Sequence, residues 1–370
     1  LGNTYKQLGD FKKAKEFYKK SSHYQPGNLE THWILSGLDK DVLNLELKKN
    51  VKIIIKSEKA SQKNKAYGNF LLAKYELEDQ NFEAEFKYLL KGHEHYFESK
   101  NKPFDKGVNY WLSEVPKNQE LMNLGTSIKK IAQDIKPIFI VGVPRCGSTL
   151  IEKVIASGSE NIKIGEETAL ISFFVGEKMS QKESFNLNMK NFKEKIITQY
   201  KSRGLINKKS NNIFTDKSLD NFFFIGLIRE VFPTAKIINC RRDPLSSIMS
   251  ILKNNLGDVT WAHNVKHIFE FFDIYYKKIE NFKKIHPNFI YDVQIEEFVN
   301  NPENESKKLM KFCELSWSKK CLEFYKRKDL TSRTASNVQI RKPIYKHSEN
   351  KYLPYKQFLN AYGEKYNWFK

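Results

Sequence analysis

Residues Gly142-Val143-Pro144-Arg145-Cys146-Gly147-Ser148-Thr149 place two glycines at the spacing with which a loop closes its backbone N–H groups and a helix N-terminus round an anion. A nucleoside triphosphatase has lysine directly after the second glycine. Here that position is Ser148, so the loop is poorly equipped to reach between β- and γ-phosphates and better suited to one phosphate. Arg145 supplies a cation inside the loop, and Ser148 and Thr149 supply hydroxyl donors. The alternative is a tight strand-to-helix turn with no ligand. Cys146 has no histidine nearby in sequence to activate it and reads as a tolerated small residue, not a nucleophile. With Cys240, Cys313 and Cys321 it forms no C-x-x-C pair and no metal spacing, which supports neither a disulfide framework nor a zinc site and suggests a reducing, cytoplasmic compartment.

The elements that must carry this loop follow from periodicity. Ile138 to Val143 is short, apolar and β-branched, as a buried parallel strand is, and Leu150, Ile151, Val154 and Ile155 then share one helical face. Ala235 to Cys240 reads as a second buried strand and Phe289 to Tyr291 as the core of a third, with helical patterns between them. The expected fold is α/β: a P-loop-like parallel sheet flanked by helices, over residues 137–370. Upstream, Leu1, Gly2, Tyr5, Gly9, Ala14, Tyr18 and Pro26 follow the tetratricopeptide spacing, and Leu71, Leu72, Tyr75, Ala84 and Tyr88 repeat it about two repeat lengths later. Residues 1–100 therefore read as an all-α region of tetratricopeptide-like repeats, either a protein-binding surface or a plain array of helical hairpins, and 101–136 as connector helices. The pattern starts part-way through a repeat, so the expectation is that the first helix is cut short at Leu1. The chain has 370 residues and a formal charge of +20, which favours an anionic ligand or acidic partner. No nucleic-acid-binding signature accompanies the charge, and no apolar run is long enough to span a bilayer.

Taken together, PRCGSTL at Pro144–Leu150 and CRRDPLSSIMS at Cys240–Ser250 resemble the 5′-phosphosulfate and 3′-phosphate motifs of sulfotransferases that use 3′-phosphoadenosine-5′-phosphosulfate (PAPS). Gly165-Glu166-Glu167-Thr168 and Asp216-Lys217 are similar to segments of tyrosylprotein sulfotransferases, and Ser336 to Pro343 is similar to their late cofactor loop. With repeats in front, the whole chain resembles a bacterial TPR-sulfotransferase.

This resemblance implies transfer of a sulfuryl group from PAPS to an acceptor hydroxyl, a protein tyrosine by the G-E-E-T likeness, leaving 3′,5′-adenosine bisphosphate. Arg145 and Lys217 would stabilise charge on the departing oxygen, Glu167 would be the base with Glu166 as alternative, and Ser336 would assist near the sulfuryl group. Cys146, Gly147, Ser148 and Thr149 would join Arg145 in holding the 5′-phosphate, and Arg242, Ser250 and Lys351 would hold the other cofactor phosphates. No metal is expected, since fixed cations take that role. Arg242 with Asp243 also reads as a surface ion pair. Ile295 stands where the family has tyrosine, and Lys253 and Asn254 lie near the place of a missing second arginine. The partners expected are an acceptor peptide or protein, or another hydroxyl substrate, and a second copy in a homodimer. The rival readings are a P-loop kinase or phosphotransferase, and a non-catalytic adaptor that binds nucleotide.

Overall fold

The computed structural model describes residues 1–125, 135–159, 161–181, 188–207, 212–327, 339–345 and 351–370. The first hundred residues form six helices: α1 (Gly2–Leu8), α2 (Phe11–Tyr24), α3 (Leu29–Ser36), α4 (Leu45–Lys56), α5 (Gln62–Glu78) and α6 (Phe82–Lys100). Asp10, Asn28, Asn44, Ser61 and Asn81 each accept a backbone N–H in the first turn of the helix that follows, which fixes where α2 to α6 begin. Ala14 and Tyr18 are buried in α2, and Leu71, Leu72 and Tyr75 in α5. In α6, however, Glu85, Phe86 and Leu89 go deep while Ala84 and Tyr88 stay half-buried.

Helices α7 (Lys102–Asn109), α8 (Val115–Lys117) and α9 (Gln119–Asn123) follow, with a π turn at Tyr110–Glu114. The sheet then comprises β1 (Ile135–Gly142), β2 (Asn212–Asp216), β3 (Lys236–Arg241) and β4 (Ile290–Gln294), all parallel, in the order β2-β1-β3-β4. β1 is buried from Pro137 to Gly142 and β3 from Ile237 to Cys240, as strands covered on both faces must be. Pro137 precedes the register with β3, which begins at Ile138, so its missing N–H interrupts no bond on that side. The covering helices are α10 (Ser148–Ser157), α11 (Leu170–Ser180), α12 (Met189–Ser202), α13 (Ile225–Val231), α14 (Pro244–Asn254), α15 (Val265–Ile285), α16 (Ile295–Asn300), α17 (Pro302–Phe312) and α18 (Lys356–Gly363). Sequence periodicity found β1, β3 and β4 but not β2, whose apolar residues are only Ile213 and Phe214 and whose Thr215 and Asp216 are buried polar groups.

The chain leaves β1 for β2 on one side and returns to β3 on the other. In open parallel sheets that reversal opens a crevice at the carboxyl ends of the two strands, and ligands bind there. Gly142 pairs with Cys240, so the phosphate loop after β1 and the residues after β3 emerge side by side.

Candidate active site

The loop backbone is forced. Gly142 has φ 153° and Gly147 φ 90°, and a Cβ on either would stand within 2.7 Å of Cys240 O or 2.6 Å of Ile295 Cδ1 respectively. Ile295, the departure from the family tyrosine, therefore closes the loop from behind. Arg145 has φ 71°, a left-handed conformation that costs a non-glycine residue about 1–2 kcal/mol and persists only where neighbours hold it. Two bonds do so: its Nε donates to Ser250 Oγ at 2.9 Å, and its carbonyl accepts from Arg242 Nη1 at 3.0 Å. Gly147 caps α10, so Ser148 and Thr149 open its first turn, both buried.

Burial first, and then the charge of Arg242, pull the Arg145 pKa below the ordinary arginine value. Two cations drawn together in a site that already disfavours charge gain from an anion between them. Arg242 and Asp243 are not the surface ion pair of the alternative reading: Arg242 reaches the loop, while Asp243 caps α14 by accepting from Ser246 N at 2.7 Å. α14 in turn presents Ser250, so Arg145, Arg242 and Ser250 are brought together. Lys351 is exposed, with its Nζ over the ring of its neighbour Tyr352 at 5.3 Å; burial chiefly, with the Lys351 charge adding, lowers the pKa of Lys253 on α14. Ser336 lies outside the described residues, whereas Arg341 further along the same segment packs against Gly9 of the helical region. Cys146 and Cys240 are fully buried and lie against each other.

The second half of the site lies on β2 and the loop before α11. Lys217 follows β2, and its Nζ donates to Glu167 Oε1 at 2.6 Å. The lysine is 1% exposed and the glutamate side chain 55% exposed, so a cation reaches the site from the interior and meets a carboxylate at the surface. Burial opposes the charge on Lys217, but Glu152, Glu167 and Glu166 together outweigh it and hold its pKa above the ordinary lysine value. Of the two glutamates in G-E-E-T, Glu167 meets Lys217, while Glu166 turns its carboxylate toward Lys153 Nζ at 3.6 Å. The Lys217 amide donates to Glu166 O at 2.7 Å, tying loop to strand.

Sequence reasoning missed what holds this pair. Glu152 is fully buried on α10; its Oε1 accepts from Thr215 Oγ1 at 2.9 Å and from Glu166 N at 3.1 Å, and Lys153 Nζ lies 3.7 Å from its Oε2. The available signal was a charged Glu-Lys pair inside the apolar stretch Leu150–Ile155. Asp216 is locked by Tyr200 Oη at 2.6 Å, Ser218 Oγ at 2.7 Å and Thr168 Oγ1, so both ends of the Glu167–Lys217 contact rest on a buried frame. Asp220, also missed, sits close enough to Asp216 and Glu167 for their charges to act on it. Burial chiefly, with those carboxylates adding, pushes it up to about 6.

Residues 137–319 match the model of the sulfotransferase family, and that segment is a sulfotransferase-family domain. A relative from Aquifex aeolicus (strain VF5), described only as an uncharacterized protein, is 26% identical over 327 residues, which cover 83% of this chain and 42% of the relative. The chain thus spans less than half the length of that curated relative. Among solved structures, the sulfotransferase domain of the Synechococcus PCC 7002 olefin synthase is similar with TM-score 0.43 and 16% identity over 61% of this chain and 90% of that one. The sulfotransferase domain from the curacin biosynthetic pathway gives 0.38 and 18% over 57% and 83%. A sulfotransferase from Alicyclobacillus acidocaldarius gives 0.37 and 13% over 63% and 93%. No described helix is long and apolar enough to cross a membrane.

Proposed function

We propose that this chain transfers a sulfuryl group from PAPS to an acceptor hydroxyl, and that the acceptor is a tyrosine of a peptide or protein, the class the G-E-E-T segment resembles. The observation that carries the reading is the placement of two clusters of charged side chains at the carboxyl edge of the sheet. Arg145, Arg242 and Ser250 converge on the loop from β1 and β3, and the Lys217–Glu167 pair stands at the end of β2. The first cluster suits a ligand with a 5′-phosphate on the loop and a 3′-phosphate by α14, a demand that ATP does not make. The segment corresponding to Ser148 in a kinase would need lysine, which disfavours the phosphotransferase reading.

In-line sulfuryl transfer, like phosphoryl transfer, asks the protein for positioning and charge stabilisation more than covalent chemistry. Glu167 accepts the proton of the acceptor hydroxyl as that oxygen bonds to sulfur. Lys217, held protonated, and Arg145 stabilise the negative charge left on the phosphate oxygen released from sulfur. Calorimetric titration of 3′,5′-adenosine bisphosphate and 5′-AMP tests the reading. The bisphosphate is expected to bind more tightly, and Arg242→Ala to weaken it by about ten- to a hundred-fold, the value of one charged hydrogen bond. Equal binding of the two nucleotides by the wild type would overturn the assignment. Incubation with labelled PAPS and tyrosyl peptides then tests the acceptor, and label on small phenols alone would exclude a peptide substrate.

A further inference from the structure

A buried polar network joins three distant parts of the chain behind α14. Glu85 is 2% exposed in the middle of α6. Its Oε1 pairs with Lys253 Nζ at 2.7 Å, its other oxygen accepts from Tyr355 Oη, and Lys253 Nζ also donates to Tyr355 Oη at 2.7 Å. Lys253 Nζ lies 4.4 Å from the Tyr355 ring centroid and 5.8 Å from that of Tyr352. The carboxylate, the ammonium and the phenol thus close on one another, with α6, α14 and the turn before α18 each contributing one group.

A second contact repeats the connection along the same helix. His93 lies eight residues after Glu85, and so on about the same face of α6. Its Nε2 is 2.8 Å from Leu252 O, and its Nδ1 is 3.0 Å from His263 Nδ1. α6 therefore grips the last turn of α14 at two neighbouring residues, Leu252 by its carbonyl and Lys253 by its side chain. The free carbonyls of a helix end need partners, and here α6 supplies one. One turn back on α14, Ser250 holds Arg145, and Asn254 Nδ2 donates to Ser250 O at 2.7 Å. The line from Glu85 to the phosphate loop is thus Lys253, the last turn of α14, Ser250 and Arg145.

We infer that Glu85 is a positioning residue for the nucleotide: it fixes Lys253 and the C-terminal turn of α14, so the 3′-phosphate end of the site is built partly by the helical region. The inference rests on the function proposed above in so far as it names the nucleotide. Glu85 touches no reacting atom. It acts through Lys253 and Ser250, and its influence falls first on the 3′ end of the site, which α14 carries, and reaches the loop that follows β1 only through the single Ser250–Arg145 bond described above.

The test uses the full chain and the variants Glu85→Gln and Tyr355→Phe, the second removing only a hydroxyl and so sparing the fold. Calorimetry with 3′,5′-adenosine bisphosphate is expected to show about ten-fold weaker binding for Glu85→Gln and about three-fold for Tyr355→Phe, with 5′-AMP changed less than two-fold in both, magnitudes typical of a removed charged and a removed neutral partner. A variant that loses affinity for both nucleotides in proportion, or for neither, overturns the proposal. Amide hydrogen exchange of the nucleotide-free proteins reads the positioning by itself. Glu85→Gln should raise exchange at residues 250–256 by about ten-fold or more over the wild type while β1 is unchanged, as expected of a local opening. Unchanged exchange there overturns the proposal whatever binds. If the wild type shows no preference for the bisphosphate but exchange responds as expected, the functional reading falls and the positioning of α14 by Glu85 stands.

Discussion

Buried charge is handled in opposite ways at two places, the face of α14 toward α6 and the carboxyl edge of the sheet. On the face toward α6, Glu85, Lys253 and Tyr355 satisfy one another. At the carboxyl edge of the sheet, Arg145 and Arg242 are brought together as like charges, and the Lys217–Glu167 pair has its lysine buried and its carboxylate in the open. Removing a buried charge from solvent costs several kcal/mol and is tolerated where a partner restores the balance. The α6 contact restores it within the protein, whereas at the sheet edge the like charges of Arg145 and Arg242 lie together, an arrangement that suits the anionic ligand proposed above. Closed networks set geometry, and open ones are where ligand is expected.

Replacements at the open site should break this contrast through activity. Lys217→Met is expected to lower the transfer rate by about a thousand-fold in assays with labelled PAPS, as loss of a charge-stabilising group does, with bisphosphate affinity changed far less. Glu167→Gln should reduce kcat by about a hundred- to ten-thousand-fold, while nucleotide titrations match the wild type. A Glu167→Gln enzyme that keeps its rate would leave Asp220, with its raised pKa, as the base to test next.

At the closed sites the effect should appear in stability. Glu152→Gln weakens the bonds to Thr215 and Glu166 and leaves Lys153 with less counter-charge, and is expected to lower the unfolding free energy by about 2–3 kcal/mol in urea denaturation. The His93–His263 pair gives a pH signature. Burial lowers His93 to about 4 and His263 to about 3, the latter also by the charge of His93. Below about 6.5 the unfolded chain takes up protons that the folded pair refuses, so this contribution is present above pH 6.5 and lost as pH falls toward 4. Tm measured from pH 7 to pH 4 should fall more steeply for the wild type than for His93→Gln. Asp220→Asn is the smallest change. A carboxyl held up at about 6 destabilises the fold as pH rises past the unfolded value near 3.8 toward 6, so the variant should be more stable at pH 7, by about 1 kcal/mol, and no different at pH 3.

The sequence disclosed most where backbone geometry dictates residue type. Gly142, Gly147 and the β-branched run after Pro137 announce the loop and its strand, and CRRDP announces the end of β3 because a proline after an aspartate cap is how such a helix starts. β2 was hidden because Thr215 and Asp216 place polar side chains in the interior, where hydropathy expects apolar ones. Glu152 and Glu85 were hidden for a related reason. Each is a charged residue on the inward side of a helix, and only the positions of partners 63 and 168 residues away in the chain explain why it is there.

The backward-turned Arg145 has a kinetic consequence. Because Ser250 and Arg242 already hold it in place, no loop rearrangement need precede binding. Nucleotide association should then follow a single exponential whose rate rises linearly with ligand concentration. With a formal charge of +20 drawing the anion in, that rate should slow as ionic strength screens the attraction.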